Sequence, residues 1–176
     1  KLNEVFNYPK QQKQDVENEI EDALKHLKFT VELCLMQYQA GRLFLFEHPV
    51  GASSWDTELL KVLARLEGVF MANFDFCQLG MKAKNKQGVE QPAKKRTKVM
   101  TNSKNIAEVL RLAQCTRVHE HVQLLDGRAG PCQVYPDKFV KLICSGIQKE
   151  IDDIRWRDRL AEKLDITETL NMLMAA

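Results

Sequence analysis

The sequence predicts an α/β fold in which a small, mostly parallel sheet is covered by helices. Two observations carry that expectation. Segments of helical periodicity alternate with short extended runs in the order helix, strand, helix, strand. The extended runs are apolar on both faces, as strands are when helices cover a sheet from both sides. The chain has 176 residues, 44% apolar and 28% charged, enough for one domain that buries roughly 70% of the surface its unfolded chain exposes.

Residues 1–14 read as an N-terminal extension, residues 15–164 as the domain, and residues 165–176 as a C-terminal tail. Val16, Ile20, Leu24, Leu27, Val31, Leu35 and Tyr38 recur at steps of three and four, which makes one face of a long helix apolar. Asp15 suits its start and Gly41 its end. The run Leu43-Phe44-Leu45-Phe46 then predicts a first strand, stopped by Glu47-His48-Pro49. Leu59, Leu60, Leu63 and Leu66 mark a second helix, and residues 69–74 a second strand. Each strand is apolar on both faces and a helix-length segment joins them, so the two are expected to pair side by side and parallel.

A basic loop is expected next, then a short extended segment at residues 98–101 and a helix capped by Ser103 that carries Ile106, Val109, Leu110 and Ala113. The pattern loosens after Cys115. Pro136-Asp137 opens a last helix, with a candidate break at Ser145-Gly146, that reaches Leu164.

Charge is unevenly spread. The net charge is +2, yet residues 82–98 hold seven Lys and Arg against Glu90 alone, a local +6 that leaves the remainder at −4. Such a block is a candidate contact for DNA or RNA, centred on Lys94, Lys95, Arg96 and Lys98, and equally a solvated loop. Lys94-Lys95-Arg96-Thr97-Lys98 is also short enough to act as a nuclear-import signal. No run approaches the ~18 apolar residues of a membrane span, so no membrane partner is expected. Five irregularly spaced cysteines do not form a secreted disulfide framework, which points to an intracellular, reducing compartment.

In an open parallel sheet, ligands bind beyond the carboxyl ends of the strands. Glu47 and His48 fall at such an end, as do Asp75 and Cys77, and Thr101 and Asn102. Ser53, Ser54 and Trp55 follow the first strand, where small side chains admit a ligand and Trp55 offers a stacking face. Glu47 could instead cap a loop and Trp55 belong to the core. A second constellation, Cys115, His119 and His121, places three zinc-type ligands within seven residues, with Cys77 and Cys132 as candidates for a fourth. The spacing matches no standard finger; solvated histidines beside a buried cysteine, or a Cys-His nucleophile pair, are the alternatives. Pro131-Cys132-Gln133 spells the nucleophile tripeptide of cytosine-5 DNA methyltransferases but stands after Glu47 rather than before it, so Cys132 reads as a ligand or packing residue.

Phe44-Leu45-Phe46-Glu47-His48-Pro49, Ala52-Ser53-Ser54-Trp55, the Cys77-x2-Gly80 step, Lys95-Arg96-Thr97 and Val99-Met100-Thr101-Asn102 succeed one another, followed by Cys115, His119, His121, Gly127 and Tyr135-Pro136. This order resembles a domain of algal and dinoflagellate retroelement polyproteins that often accompanies copia-type reverse transcriptases. The resemblance spans residues 25–150. More distantly, the series is similar to the second half of phage-type cytosine DNA methyltransferases, which implies a partial Rossmann-like fold. There Glu47 would read a flipped base with His48 beside it, and Lys95, Thr97, Thr101 and Asn102 would line the nucleic-acid side.

His48 and Arg96 stand where that pattern has Asn and Pro. No Gly-rich turn precedes Leu43, so S-adenosylmethionine is not expected to bind this chain alone. The resemblance implies a nucleic-acid-associated domain of a mobile element, a partner of other polyprotein segments, and not competent for methyl transfer by itself. The alternatives are a non-catalytic, zinc-supported nucleic-acid-binding or assembly module, and a hydrolase or nuclease pairing Glu47 with Asp75.

Overall fold

The computed structural model describes residues 13–124 and 129–174. Helix α1 (Lys13–Gln39) leads to strand β1 (Leu45–Pro49), helix α2 (Glu58–Ala64) and strand β2 (Phe70–Asp75). A hairpin of β3 (Lys82–Lys84) and β4 (Glu90–Pro92) follows, then β5 (Arg96–Thr101), α3 (Lys104–Arg111) and the 38-residue α4 (Asp137–Met174). Residues 13 and 14 thus belong to α1, while residues 1–12 of the expected extension, Gly127 and residues 175–176 lie outside the described residues. Residues 165–174 of the expected tail continue α4.

The sheet overturns the parallel expectation. Its order is β1-β5-β2, and β5 pairs antiparallel with both neighbours. Residues 43–46 and 69–74 therefore do not lie side by side: β1 and β2 run in the same direction with β5 between them, a split β-α-β unit. A partial Rossmann-like, mostly parallel sheet is excluded. Runs apolar on both faces do report helices on both sides, but that covering is independent of strand direction. The hairpin between β2 and β5 supplies the length for the chain to return and fill the gap.

Alternation along the strands sorts the core into two. Leu45, Phe70, Ala72, Phe74 and Val99 face α3 and α4, packing on Ile106, Ala107, Leu110 and Phe139. Phe46, Met71 and Met100 face the other way, against Leu27, Val31 and Cys34 of α1 and Leu60 and Leu63 of α2. Central β5 is the most deeply buried strand, with Thr97, Val99, Met100 and Thr101 each 0% exposed.

Local signals place the helix ends. Gly41 adopts φ +65° just past α1. Thr57 caps α2 by accepting Leu60 N–H, and Ser103 caps α3 by accepting Ile106 N–H. Glu150 of α4 reinforces that cap: its Oε2 accepts from Ser103 Oγ at 2.6 Å and Asn105 Nδ2 at 3.1 Å. Such a carboxylate also complements the positive end of the α3 dipole. Helix α4 does not break at Ser145-Gly146. Gly146 instead admits α3, since a Cβ there would lie 2.9 Å from Ile106 Cγ1 and 3.0 Å from its Cα. Beyond Glu150, residues 151–163 are all exposed, so α4 runs past the core into solvent. No helix among the described residues is long and apolar enough to cross a membrane.

Candidate metal centre

Cys77 lies in a 3-10 turn, Phe76–Leu79, directly after β2. Cys115 follows the end of α3, and His119 and His121 stand on the loop beyond it. Two backbone features bring that loop round. Asp75 N–H donates to Ala113 O at 2.9 Å, holding the exit of α3 on the end of β2. Arg117 then takes the left-handed φ of 60°, costly for a residue with a Cβ, and its N–H donates to Cys115 Sγ at 3.4 Å.

The result is a cluster of four soft donors. Sγ of Cys77, Sγ of Cys115 and one nitrogen each of His119 and His121 all lie within 4.8 Å of one another. His121 Nε2 is 3.4 Å from Cys77 Sγ and 3.3 Å from Cys115 Sγ, and His119 Nε2 is 3.8 Å from Cys115 Sγ. Tetrahedral zinc, with bonds of about 2.3 Å to sulfur and about 2.0 Å to nitrogen, sets adjacent sulfur and nitrogen donors about 3.5 Å apart. The donors can hold a metal ion, and they are numerous enough to close its coordination sphere with protein alone.

Cys77 supplies the fourth position and Cys132 does not. Cys132 is buried in the core, 4.0 Å from Lys82 O. Burial, reinforced by neighbouring Cys115 and Asp75, pushes the Cys77 thiol up to about 12. Burial, with the charges of His119 and Lys94, lowers the His121 pKa, against an opposing pull from Asp75; a neutral imidazole is the ligand form. Beside the cluster, Asp75 is only 5% exposed. Its Oδ2 accepts Cys115 N–H at 3.0 Å, while Oδ1 is buried with no hydrogen-bond partner among the described residues.

The Glu47 and His48 side chains point to opposite faces. Glu47 is in mid-strand, opposite Val99 on the α3–α4 face, rather than at a carboxyl end. Its Oε2 accepts from Tyr135 Oη at 2.9 Å and its Oε1 lies 3.9 Å from Lys95 Nζ. Burial and the adjacent Glu47 push Tyr135 up to about 12. Lys95 also sits 5.1 Å above the Phe76 ring. His48, on the α1–α2 face, shares a 2.7 Å hydrogen bond between Nδ1 and Ser54 Oγ; burial lowers its pKa. Trp55 donates Nε1–H to Pro49 O and packs edge-on against Phe46, and Lys98 lies 4.9 Å over its ring. Ser53 is exposed.

Three residues expected along the nucleic-acid side serve the fold. Thr97 is fully buried. Thr101 donates its hydroxyl to Phe44 O at 2.6 Å, and Asn102 holds Phe44 N and Arg42 O, each at 2.8 Å. The basic block is a hairpin followed by a strand rather than a loop. Lys82, Lys84, Lys86, Lys94 and Arg96 are exposed, while Lys95 and Lys98 turn inward to Glu47 and Trp55. Val122 N–H donates to Pro92 O at 3.0 Å, joining the hairpin to the residue after His121.

Sequence reasoning missed Tyr135 as a partner of Glu47, because 88 positions separate them. It missed the hairpin too, although Asn85 and Gly88 signal the turn: Asn85 Oδ1 accepts from Gln87 and Val89 N–H, and Gly88 has φ +81°. Comparison with protein-family models, with curated proteins and with solved structures finds no match to this chain.

Proposed function

We propose that this chain is a zinc-supported nucleic-acid-binding module in which a structural metal centre braces a basic hairpin. The convergence of Cys77, Cys115, His119 and His121 carries the proposal. Two thiolates and two imidazoles form a Cys2His2 set of the structural kind, whose four protein ligands leave no position for substrate. Zinc bound there supplies a cross-link. The residues it would tie are the turn after β2, the exit of α3 and the loop that hydrogen-bonds to the end of β4.

The exposed cations then have a fixed platform. Lys84 and Lys86 project from the hairpin, and Lys94 and Arg96 flank the inward Lys95. Spaced cations on a braced strand suit phosphate neutralisation rather than base readout. The motif order that resembles a retroelement domain supports the same nucleic-acid setting, within a mobile-element polyprotein. Methyl transfer is not part of the proposal, since Glu47 already engages Tyr135 and Lys95.

The test combines metal content with binding to a fluorescent 20-mer DNA or RNA. About one zinc per chain is expected. With four phosphate contacts, affinity should fall roughly 100-fold between about 50 and 200 mM salt. Replacing Lys84, Lys86, Lys94 and Arg96 by Gln should remove most of the binding and most of the salt slope. Absence of zinc, or binding unchanged in that variant, overturns the proposal.

A further inference from the structure

Two buried side-chain oxygens have no hydrogen-bond partner among the described residues: Glu47 Oε1 and Asp75 Oδ1. The first lies 3.9 Å from Lys95 Nζ, which answers its charge. No Lys or Arg pairs with Asp75 among the described residues. A carboxylate that is 5% exposed and half unpartnered is a costly arrangement unless something compensates it. Asp75 precedes Cys77 by two residues and grips Cys115 through the backbone N–H, so it touches both thiol-bearing segments.

We propose that Asp75 is the positioning residue of the metal centre: Oδ2 fixes Cys115, and the charge on Oδ1 is answered by the cation that the four ligands gather. The role presupposes the zinc centre proposed above. In the metal-free protein the Asp75 carboxylate has no positive centre beside it among the described residues; a divalent ion at the cluster places one next to the two segments that Asp75 joins. Outer carboxylates of this kind commonly change metal affinity by about 10- to 100-fold.

Asp75→Asn tests the role cleanly, because the amide oxygen still accepts Cys115 N–H while the charge is lost. Zinc affinity is read by competition with a chromophoric chelator, the ligand field by the Co(II) spectrum, and the melting temperature with zinc and with chelator. The variant should bind zinc about 10- to 100-fold more weakly, with shifted Co(II) bands. In chelator it should melt at or above the wild type; with zinc it should melt below. Equal zinc affinity in the two proteins, or a variant that melts lower in chelator as well, makes Asp75 a backbone brace only and overturns the inference. A wild type that shows no sulfur-to-cobalt charge-transfer band overturns the zinc centre itself, and the inference with it.

Discussion

Two polar clusters flank the same sheet, and they differ in what their side chains face. At Glu47 the carboxylate already meets a phenol hydroxyl and an ammonium group, and Tyr135 and Lys95 pack on Phe76. At Cys77 the two sulfurs and two nitrogens face one another, with a half-unpartnered carboxylate alongside. The Glu47 cluster gives its carboxylate one hydrogen bond, from Tyr135, and one charge partner, Lys95, and ties β1 to the residues before α4. The Cys2His2 cluster consists of metal-type ligands that meet one another at 3.3–3.8 Å, an arrangement one cation can bridge. Convergence of donors, rather than burial of a charged group, is what marks the Cys2His2 cluster as able to hold a metal ion.

The sharpest way to break this comparison is to remove one ligand from each side. Cys115→Ser should abolish zinc binding and, by releasing the loop that holds the hairpin, cost several kcal/mol, lowering the melting temperature by about 10 °C or more. Chelator competition and calorimetry check both effects. Gly146→Ala provides a reference defect away from either cluster. Forcing α4 off Ile106 should cost about 1–3 kcal/mol and leave zinc content at one per chain.

Glu47→Gln should do less. Its amide oxygen still accepts the Tyr135 hydroxyl, so a loss of about 1 kcal/mol is expected, with zinc and nucleic-acid binding unchanged. A variant that keeps its melting temperature but loses binding would return Glu47 to the functional surface. A further effect lies at alkaline pH. Tyr135 is pushed up to about 12 from an ordinary 10, so its contribution is fully present below about pH 10 and lost as pH rises toward 12. Tyr135→Phe should flatten that part of the stability profile in alkaline melts.

Cys77 adds a pH dependence of the opposite sense. A thiol pushed up to about 12 is protonated at neutral pH, so zinc must displace its proton. Zinc affinity should therefore fall as pH is lowered from about 8 to about 6, as chelator competition at each pH will report.

Local signals in this sequence proved legible because local physics determines them. The helical span of α1, the Ser103 cap and the Pro136-Asp137 start of α4 each depend on residues within a few positions, although Ile20 and Leu24 of the expected apolar face of α1 are exposed. Strand partners do not. The direction of β1 and β2 depends on β5 returning between them, and an apolar run carries no mark of its neighbour's polarity. The candidate site divides the same way. Cys115, His119 and His121 are visible as ligands within seven residues, whereas choosing Cys77 over Cys132 requires the tertiary path that brings the end of β2 to the exit of α3. The inward turn of Lys95 and Lys98 is likewise invisible in a run of like charges, because the aromatic rings of Phe76 and Trp55, brought beneath them by the tertiary path, decide it.

Zinc K-edge X-ray absorption of the purified, loaded protein tests the central claim most directly. Two sulfur ligands at about 2.3 Å and two imidazole nitrogens at about 2.0 Å are expected, with about one zinc per chain. A shell of oxygen and nitrogen without sulfur, or zinc far below one equivalent, would contradict it.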